Sequence, residues 1–274
     1  MPTDKPKISQ ARIPSSVSTT VSDEIGDRRE VRVTAEYPLS VFVDKQEYVT
    51  LMTLGQMPEA LIIGWLRNQR LLMSVSDIEE VTVDWETNAA AVYTKSGLRQ
   101  TLGKPTVTSG CGQGTMFGDF MAEMENLNLA HEAKLSAAAL FDLLAQIRVY
   151  GAVYKSSGAV HACCLAKPLG DAAEMLIFVE DVGRHNAVDT IAGWMWLNDV
   201  TGADKIFYTT GRLTSEMVIK CAQMNIPCLV SRSGMTRMGL EIARHINLTV
   251  IGRALNKRYL VFSGAEYFDG GGAK

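Results

Sequence analysis

Residues 205–231 read KIFYTTGRLTSEMVIKCAQMNIPCLVS, and this stretch decides the fold. Lys205–Tyr208 and Cys228–Ser231 are short apolar runs bounded by turn residues, Gly211 after the first and Pro227 before the second, and both read as strands. Ser215–Asn225 between them reads as a helix. Working outward, strands are expected at Val160–Leu165, Glu174–Val179 and Leu248–Ile251, with helices near Ala187–Asn198 and Arg237–His245. Strand and helix alternate from Gly158 onward, which is the signature of an α/β layer with a largely parallel sheet.

Three of these strands end in a turn of one kind. Glu180-Asp-Val-Gly183-Arg184-His185 precedes one helix, Thr209-Thr-Gly211-Arg212-Leu-Thr-Ser215 a second, and Ser231-Arg232-Ser-Gly234-Met-Thr236 a third. In an open α/β sheet ligands bind at the carboxyl ends of the strands. Each following helix presents unpaired N–H groups and a positive dipole end there. Glycine lets backbone approach a ligand closely, and arginine adds a planar, permanently charged fork suited to phosphate. Ser215 and Thr236 can equally be helix caps, with the arginines solvated. Three such turns in one sheet favour a shared site for a polyanion.

The amino-terminal half reads differently. Residues 1–30 are rich in Ser, Thr, Asp, Lys and Pro with scattered apolar residues and no period, and a mobile tail is expected. Val31–Ala35, Leu39–Asp44 and Glu47–Met52 read as strands, with a turn at Asp44-Lys45; Val81–Trp85 and Ala89–Tyr93 are two more. Pro58 can open a helix running toward Arg70 on Ala60, Leu61, Ile63, Gly64 and Leu66. Residues 102–129 break every period, carry five glycines and hold Cys111, and irregular stretches of such length are usually functional or disordered. Lys134–Arg148 resumes as an amphipathic helix.

The bulk numbers exclude several classes. A net charge of −3 over 274 residues supplies no field for nucleic acid or an anionic membrane surface, so any anion site must be local. No apolar run approaches the roughly 18 residues that span a bilayer, and the first residues lack a secretory stretch, so a cytoplasmic location without membrane partners is expected. The five cysteines, Cys111, Cys163, Cys164, Cys221 and Cys228, are odd in number, irregularly spaced and contain no Cys-x-x-Cys. Neither a disulfide framework nor a closed zinc site fits them, and no metal ligands are assigned. Cys163, Cys164, Cys221 and Cys228 read as small buried hydrophobes.

The motifs now in hand resemble the formate dehydrogenase accessory sulfurtransferase family, the FdhD family. Glu180-Asp-Val-Gly-Arg-His-Asn-Ala-Val-Asp189 is similar to that family's central motif, flanked by Ser157-Gly-Ala-Val-His-Ala162 and Gly211-Arg-Leu-Thr-Ser-Glu-Met-Val-Ile-Lys220. Glu36-Tyr-Pro-Leu-Ser-Val-Phe-Val-Asp44 looks like its opening strand pair, and the resemblance runs from about Val33 to Phe262. It implies an α/β chain, α+β overall, following the tail that composition marks over residues 1–30. A smaller antiparallel-β amino-terminal domain with the Cys111 loop would cover 31–133, and a cytidine-deaminase-like α/β domain without zinc 134–274. It further implies a homodimeric sulfurtransferase that takes persulfide sulfur from a cysteine desulfurase. The sulfur passes to the molybdenum bis(molybdopterin guanine dinucleotide) cofactor, bound as substrate, before insertion into the formate dehydrogenase apoenzyme.

The family's sulfur-carrying cysteine opens a Cys-Gly-x-Cys loop; here Cys111 matches and Gly114 stands where the second cysteine would be. A sulfur carrier needs an accessible thiol on a pliable segment, and Cys111 among glycines meets that need. The three strand-end turns nominate Gly183, Arg184, His185, Gly211, Arg212, Ser231 and Arg232 as contacts for the phosphorylated cofactor that the resemblance implies. The resemblance adds the segment Arg253-Ala254-Leu255-Asn256-Lys257-Arg258, where arginine replaces the family's aromatic residue and leucine its first arginine. A cofactor-binding chaperone that moves no sulfur is the first rival reading. A zinc deaminase, suggested by the fold alone, ranks far behind for want of its cysteine and His-x-Glu motifs.

Overall fold

A computed structural model describes residues 5–99, 106–108 and 127–270. The chain forms two compact units, each assembled from separated segments: Met1–Gln113, Gly151–His161 and Glu180–Asn198 make the first, and Gly114–Tyr150, Ala162–Val179 and Asp199–Lys274 the second. The sequence reading put one boundary between residues 133 and 134; the observed division returns the chain to the first unit twice more.

The strands of the first unit are β1 (Lys7–Ile8), β2 (Ser16–Ser22), β3 (Arg28–Thr34), β4 (Tyr37–Val43), β5 (Gln46–Thr53), β6 (Ile78–Asp84), β7 (Ala89–Thr94) and β8 (Thr106–Thr108). Six of them form a sheet in the order β1-β6-β7-β4-β5-β8. β4 and β5 are antiparallel and joined by Asp44 (φ 48°) and Lys45 (φ 73°), the two left-handed residues that a tight hairpin turn requires. Helix α1 (Pro58–Asn68) lays Leu61, Ile62 and Leu66 into a core with Leu39, Val41, Val49 and Leu51 from the sheet. Residues 5–30 correct the expected tail, because β1 pairs with β6, and β2 with β3 as a separate two-stranded ribbon. Their side chains are largely exposed, so no buried alternation announces them.

The second unit holds β9 (Leu135–Ser136), α2 (Ala137–Tyr150), β10 (His161–Leu169), β11 (Ala172–Asp181), β12 (Ile206–Thr209), β13 (Cys228–Ser231), β14 (Thr249–Leu255), β15 (Arg258–Ser263) and β16 (Phe268–Asp269). Its sheet runs β11-β10-β12-β13-β14-β15. Only the centre, β12-β13-β14, is parallel; β10 and β15 flank it antiparallel, so the sheet is mixed rather than largely parallel. Leu140, Leu143 and Ile147 of α2 pack on Cys164, Ile206, Tyr208, Val230 and Ile251. Among the described residues no helix is long and apolar enough to cross a membrane.

Two helices complete the first unit from downstream sequence. α3 (Ala152–Ser157), which the sequence reading passes over, lies against β3 through the Thr34 and Ser157 hydroxyls, 2.7 Å apart. α4 (Arg184–Leu197) crosses α1 glycine to glycine. A Cβ on Gly64 would stand 1.7 Å from the Asp189 carbonyl oxygen, and one on Gly193 1.9 Å from that of Ala60. Asn68 of α1 donates to Asp189 (2.7 Å), and Arg67 donates to the Ala192 carbonyl (2.8 Å) beneath the Trp196 ring. This contact is the physical reason that α4, expected beside the later strands, belongs to the first unit.

Candidate functional site

In the first unit the turn between β11 and α4 is organised by carboxylates. Asp181 is buried and accepts from the Thr53 hydroxyl (2.6 Å) and Leu54 N–H (3.0 Å) on one oxygen, and from Gly183 N–H (3.0 Å) and the Asn186 amide (3.0 Å) on the other. Burial pushes its pKa up, against the pull of these four donors. Glu180 accepts the N–H groups of Val153 and Tyr154 (both 2.9 Å) at the start of α3. Gly183 is the N-cap of α4 and has no side chain with which to cap it. Arg184 and His185 therefore ride on a turn clamped on both sides, at Gly183 and at Asn186.

In the second unit the corresponding work falls to hydroxyls. After β12 the chain turns through Gly211 and Arg212 into α5 (Ser215–Gln223); after β13 it turns through Arg232 and Gly234 into α6 (Arg237–His245). Gly211 is held at both ends, its N–H by the Thr209 hydroxyl (3.1 Å) and its carbonyl by the Ser231 hydroxyl (2.7 Å). The two turns are sewn together by Leu213 N–H to Gly234 O and Thr236 N–H to Leu213 O, both 3.0 Å. The third neighbour is β14, where Arg253 N–H donates to the Ser233 carbonyl (2.9 Å) and Arg253 itself takes a left-handed backbone (φ 51°). Gly252 beside it has no room for a side chain, since a Cβ would meet the Phe262 ring at 2.6 Å.

The second unit thus brings Gly211, Arg212, Ser231, Arg232 and Arg253 to one end of its sheet. Arg212, Arg232 and Arg253 are exposed there. Gly183, Arg184 and His185 belong to the first unit. The Ser231 hydroxyl is spent within the protein, since it also accepts from Ser233 N–H (2.9 Å), and Ser231 is fully buried. Ala254 is buried as well, whereas Leu255, Asn256, Lys257 and Arg258 form an exposed turn into β15, with Asn256 accepting from Arg148 (3.0 Å). Exposed guanidinium groups over ordered backbone amides can hold an oxyanion.

Cys111 lies outside the described residues, as do Gly112, Gln113 and Gly114. The other four cysteines are all buried free thiols. Burial pushes Cys228 up to about 12 and raises Cys164 and Cys221 as well. Cys163 donates to the Thr209 hydroxyl (3.3 Å), beneath the Gly211 turn. Among the described residues no group of three or more His, Cys, Asp or Glu side chains could hold a metal ion.

The sequence reading overlooked the parts that hold these turns: Asp181, Asn186, Thr209 and Thr53. A signal for Asp181 exists, an acidic residue two before the glycine that opens a helix, where a carboxylate can accept the N-cap N–H. Nothing local could have nominated Thr53, whose hydroxyl reaches Asp181 from far away in the chain.

Comparison with known proteins identifies the family of the chain. The profile of the FdhD/NarQ family matches residues 34–269. The chain is 29% identical over 250 residues to a protein of Listeria innocua named sulfur carrier protein FdhD, covering 89% of this chain and 94% of that one. A protein of the same name from Bacillus subtilis is 28% identical over 243 residues, 86% and 90% of the two chains. A crystal structure of a Desulfotalea psychrophila protein assigned as a formate dehydrogenase accessory protein superposes with a TM-score of 0.74 at 24% identity, covering 93% of this chain and all of that one.

Proposed function

Because the chain belongs to the FdhD/NarQ family, matched from residue 34 to residue 269, we propose that it is a sulfur carrier required for formate dehydrogenase activity, with Cys111 as the carrying residue. The fate of the sulfurs carries this reading. Of five cysteines, the four described are buried thiols, three of them held further from ionisation than a free thiol, and a buried neutral thiol neither attacks nor is attacked. Cys111 is the one left for the task, and its neighbours Gly110, Gly112 and Gly114 suit a segment that must visit two partners.

The chemistry takes two exchanges. The Cys111 thiolate attacks the outer sulfur of a persulfide on a cysteine desulfurase, a new S–S bond forms, and the desulfurase cysteine departs with the electron pair as thiolate. The carried sulfur then passes to the molybdenum bis(molybdopterin guanine dinucleotide) substrate. The S–S bond breaks, Cys111 recovers its thiolate, and the electron pair that converts sulfane sulfur to sulfide comes from the molybdenum centre. Arg212, Arg232 and the Arg253–Arg258 turn on the second unit suit the phosphates of that substrate. Positioning, more than acid–base machinery, is what such exchanges demand. The formate dehydrogenase apoenzyme receives the product, and a homodimer acting in the cytoplasm completes the reading.

Mass spectrometry after incubation with a desulfurase and cysteine tests it. Wild type should gain one sulfur that Cys111→Ser does not, and equal loading of the two removes Cys111 from the role. Native alkylation near neutral pH should label one cysteine in wild type and none in Cys111→Ser. For the phosphate assignment, Arg212→Ala should weaken guanosine diphosphate binding about tenfold or more, the worth of one charge-assisted hydrogen bond. Full formate dehydrogenase activity in cells carrying Cys111→Ala would leave sheltering of the cofactor, without sulfur transfer, as the function.

A further inference from the structure

The second unit has another opening, at the far end of its sheet from the arginine turns. Thr249 begins β14 and Ser263 ends the antiparallel β15, so both stand at the amino end of the parallel strands. There, beside the last turn of α6, lies a cleft of about 280 Å³ whose lining includes Arg244, Asn247, Phe262, Ser263, Gly264 and Glu266.

The walls of this cleft are fixed by bonds made within the protein. Ser263 Oγ donates to the Leu248 carbonyl (2.7 Å), and Thr249 Oγ1 donates to the Gly264 carbonyl (3.3 Å). Gly264 is left-handed (φ 69°), and a Cβ there would stand 2.3 Å from Thr249 Oγ1, so glycine is what the turn admits. The Asn247 amide donates to the Leu129 carbonyl (3.3 Å) and to the Tyr267 hydroxyl (3.2 Å). Two charged side chains are not spent in this way. Arg244 and Glu266 are exposed, and among the described residues neither has a hydrogen-bond or ion-pair partner. Glu241, one turn before Arg244, is engaged by Arg237 instead (2.8 Å).

Opposite charges that share a cleft without meeting suit a guest that carries both. The planar fork of Arg244 matches a carboxylate. Glu266, together with the negative dipole end of α6, matches an ammonium group. Leu248, Val261 and Phe262 add apolar wall. The volume falls just under the usual range of small-molecule pockets, roughly 300–1,000 Å³, which favours a guest of few atoms, and Glu266 would oppose a phosphate. We propose that this cleft binds a free α-amino acid with an apolar side chain, its carboxylate on Arg244, its ammonium on Glu266 and its side chain against Phe262. Peptide bonds consume those two charged groups, so a residue within a chain does not qualify. The site stands apart from the chemistry assigned to Cys111.

Isothermal titration calorimetry of the full chain with L-leucine, L-methionine and L-phenylalanine tests this. At least one of them should bind saturably, one molecule per chain. Its N-acetyl and its amide derivatives, each lacking one of the two charges, should bind about tenfold more weakly or worse, the worth of one charge-assisted hydrogen bond. Arg244→Gln and Glu266→Gln should each weaken binding by a similar factor, and both variants should unfold at the wild-type temperature when no amino acid is present, since the two side chains are exposed. Absence of saturable binding by all three amino acids at millimolar concentration overturns the proposal. So does binding that survives both substitutions, or that the derivatives match.

Discussion

The turn that closes β11 and the turns that close β12 and β13 share a signature, a strand end, a glycine and an arginine ahead of a helix, and they are held by different chemistry. In the first unit a buried carboxylate gathers four donors around Asp181. In the second, neutral hydroxyls of Thr209 and Ser231 hold Gly211. A carboxylate binds its donors more strongly and carries a charge; a hydroxyl can donate as well as accept and brings none. The comparison teaches that a turn carrying exposed arginines can be locked without placing a negative charge beneath them, and that only the second unit takes that route.

The largest effect should follow Asp181→Ala, which strands four buried donors at a cost of roughly 3 kcal/mol or more in urea unfolding. A loss below about 1 kcal/mol would put the carboxylate on the footing of the hydroxyls and end the contrast. The pH dependence sharpens it further. Burial holds the folded pKa of Asp181 above its unfolded value of about 3.9. Its contribution is thus fully present below the unfolded pKa and is lost as pH rises through the folded one. The deficit of Asp181→Asn relative to wild type should therefore shrink between acid and neutral pH, and a widening deficit would reverse the sign.

Ser231→Ala should cost about 1–2 kcal/mol, leaving the Gly211 carbonyl and the Ser233 N–H without their hydroxyl, with no dependence on pH in the carboxylate range. The smallest effects separate α5 from α6. The Thr236 hydroxyl accepts from Gly239 N–H (3.2 Å) and caps α6, whereas Thr214, at the same position before α5, makes no such bond. Thr236→Ala should cost about 1 kcal/mol and Thr214→Ala only a few tenths. Equal losses would mean that Thr214 caps its helix after all.

Local pattern carried much of this architecture. Cys228–Ser231 and Arg237–His245 stand where their periodicity puts them, and the Asp44-Lys45 turn falls between two apolar runs, with an aspartate that tolerates a left-handed backbone. β2 escaped notice because Ser and Thr alternate with Val without any buried face to sharpen the alternation. The place of α4 escaped for a different reason: its partner is a glycine in α1, and a glycine-to-glycine crossing writes no side-chain pattern into either helix. At the site, arginines and glycines were legible as residue types. The acceptors that hold them were not, because Asp181 takes donors from Thr53 and Leu54, which only the folded chain brings near.

The segmented first unit sets a timetable for synthesis. Its sheet strands leave the ribosome early, but the helix that nests against Gly64 ends at Leu197, and the donors at Thr53 and Leu54 wait for Asp181 until nearly the same moment. A nascent chain arrested short of that point holds a floor without its roof, with the α4-facing side of α1 open to water. It is during this interval that a holdase would find most to grip.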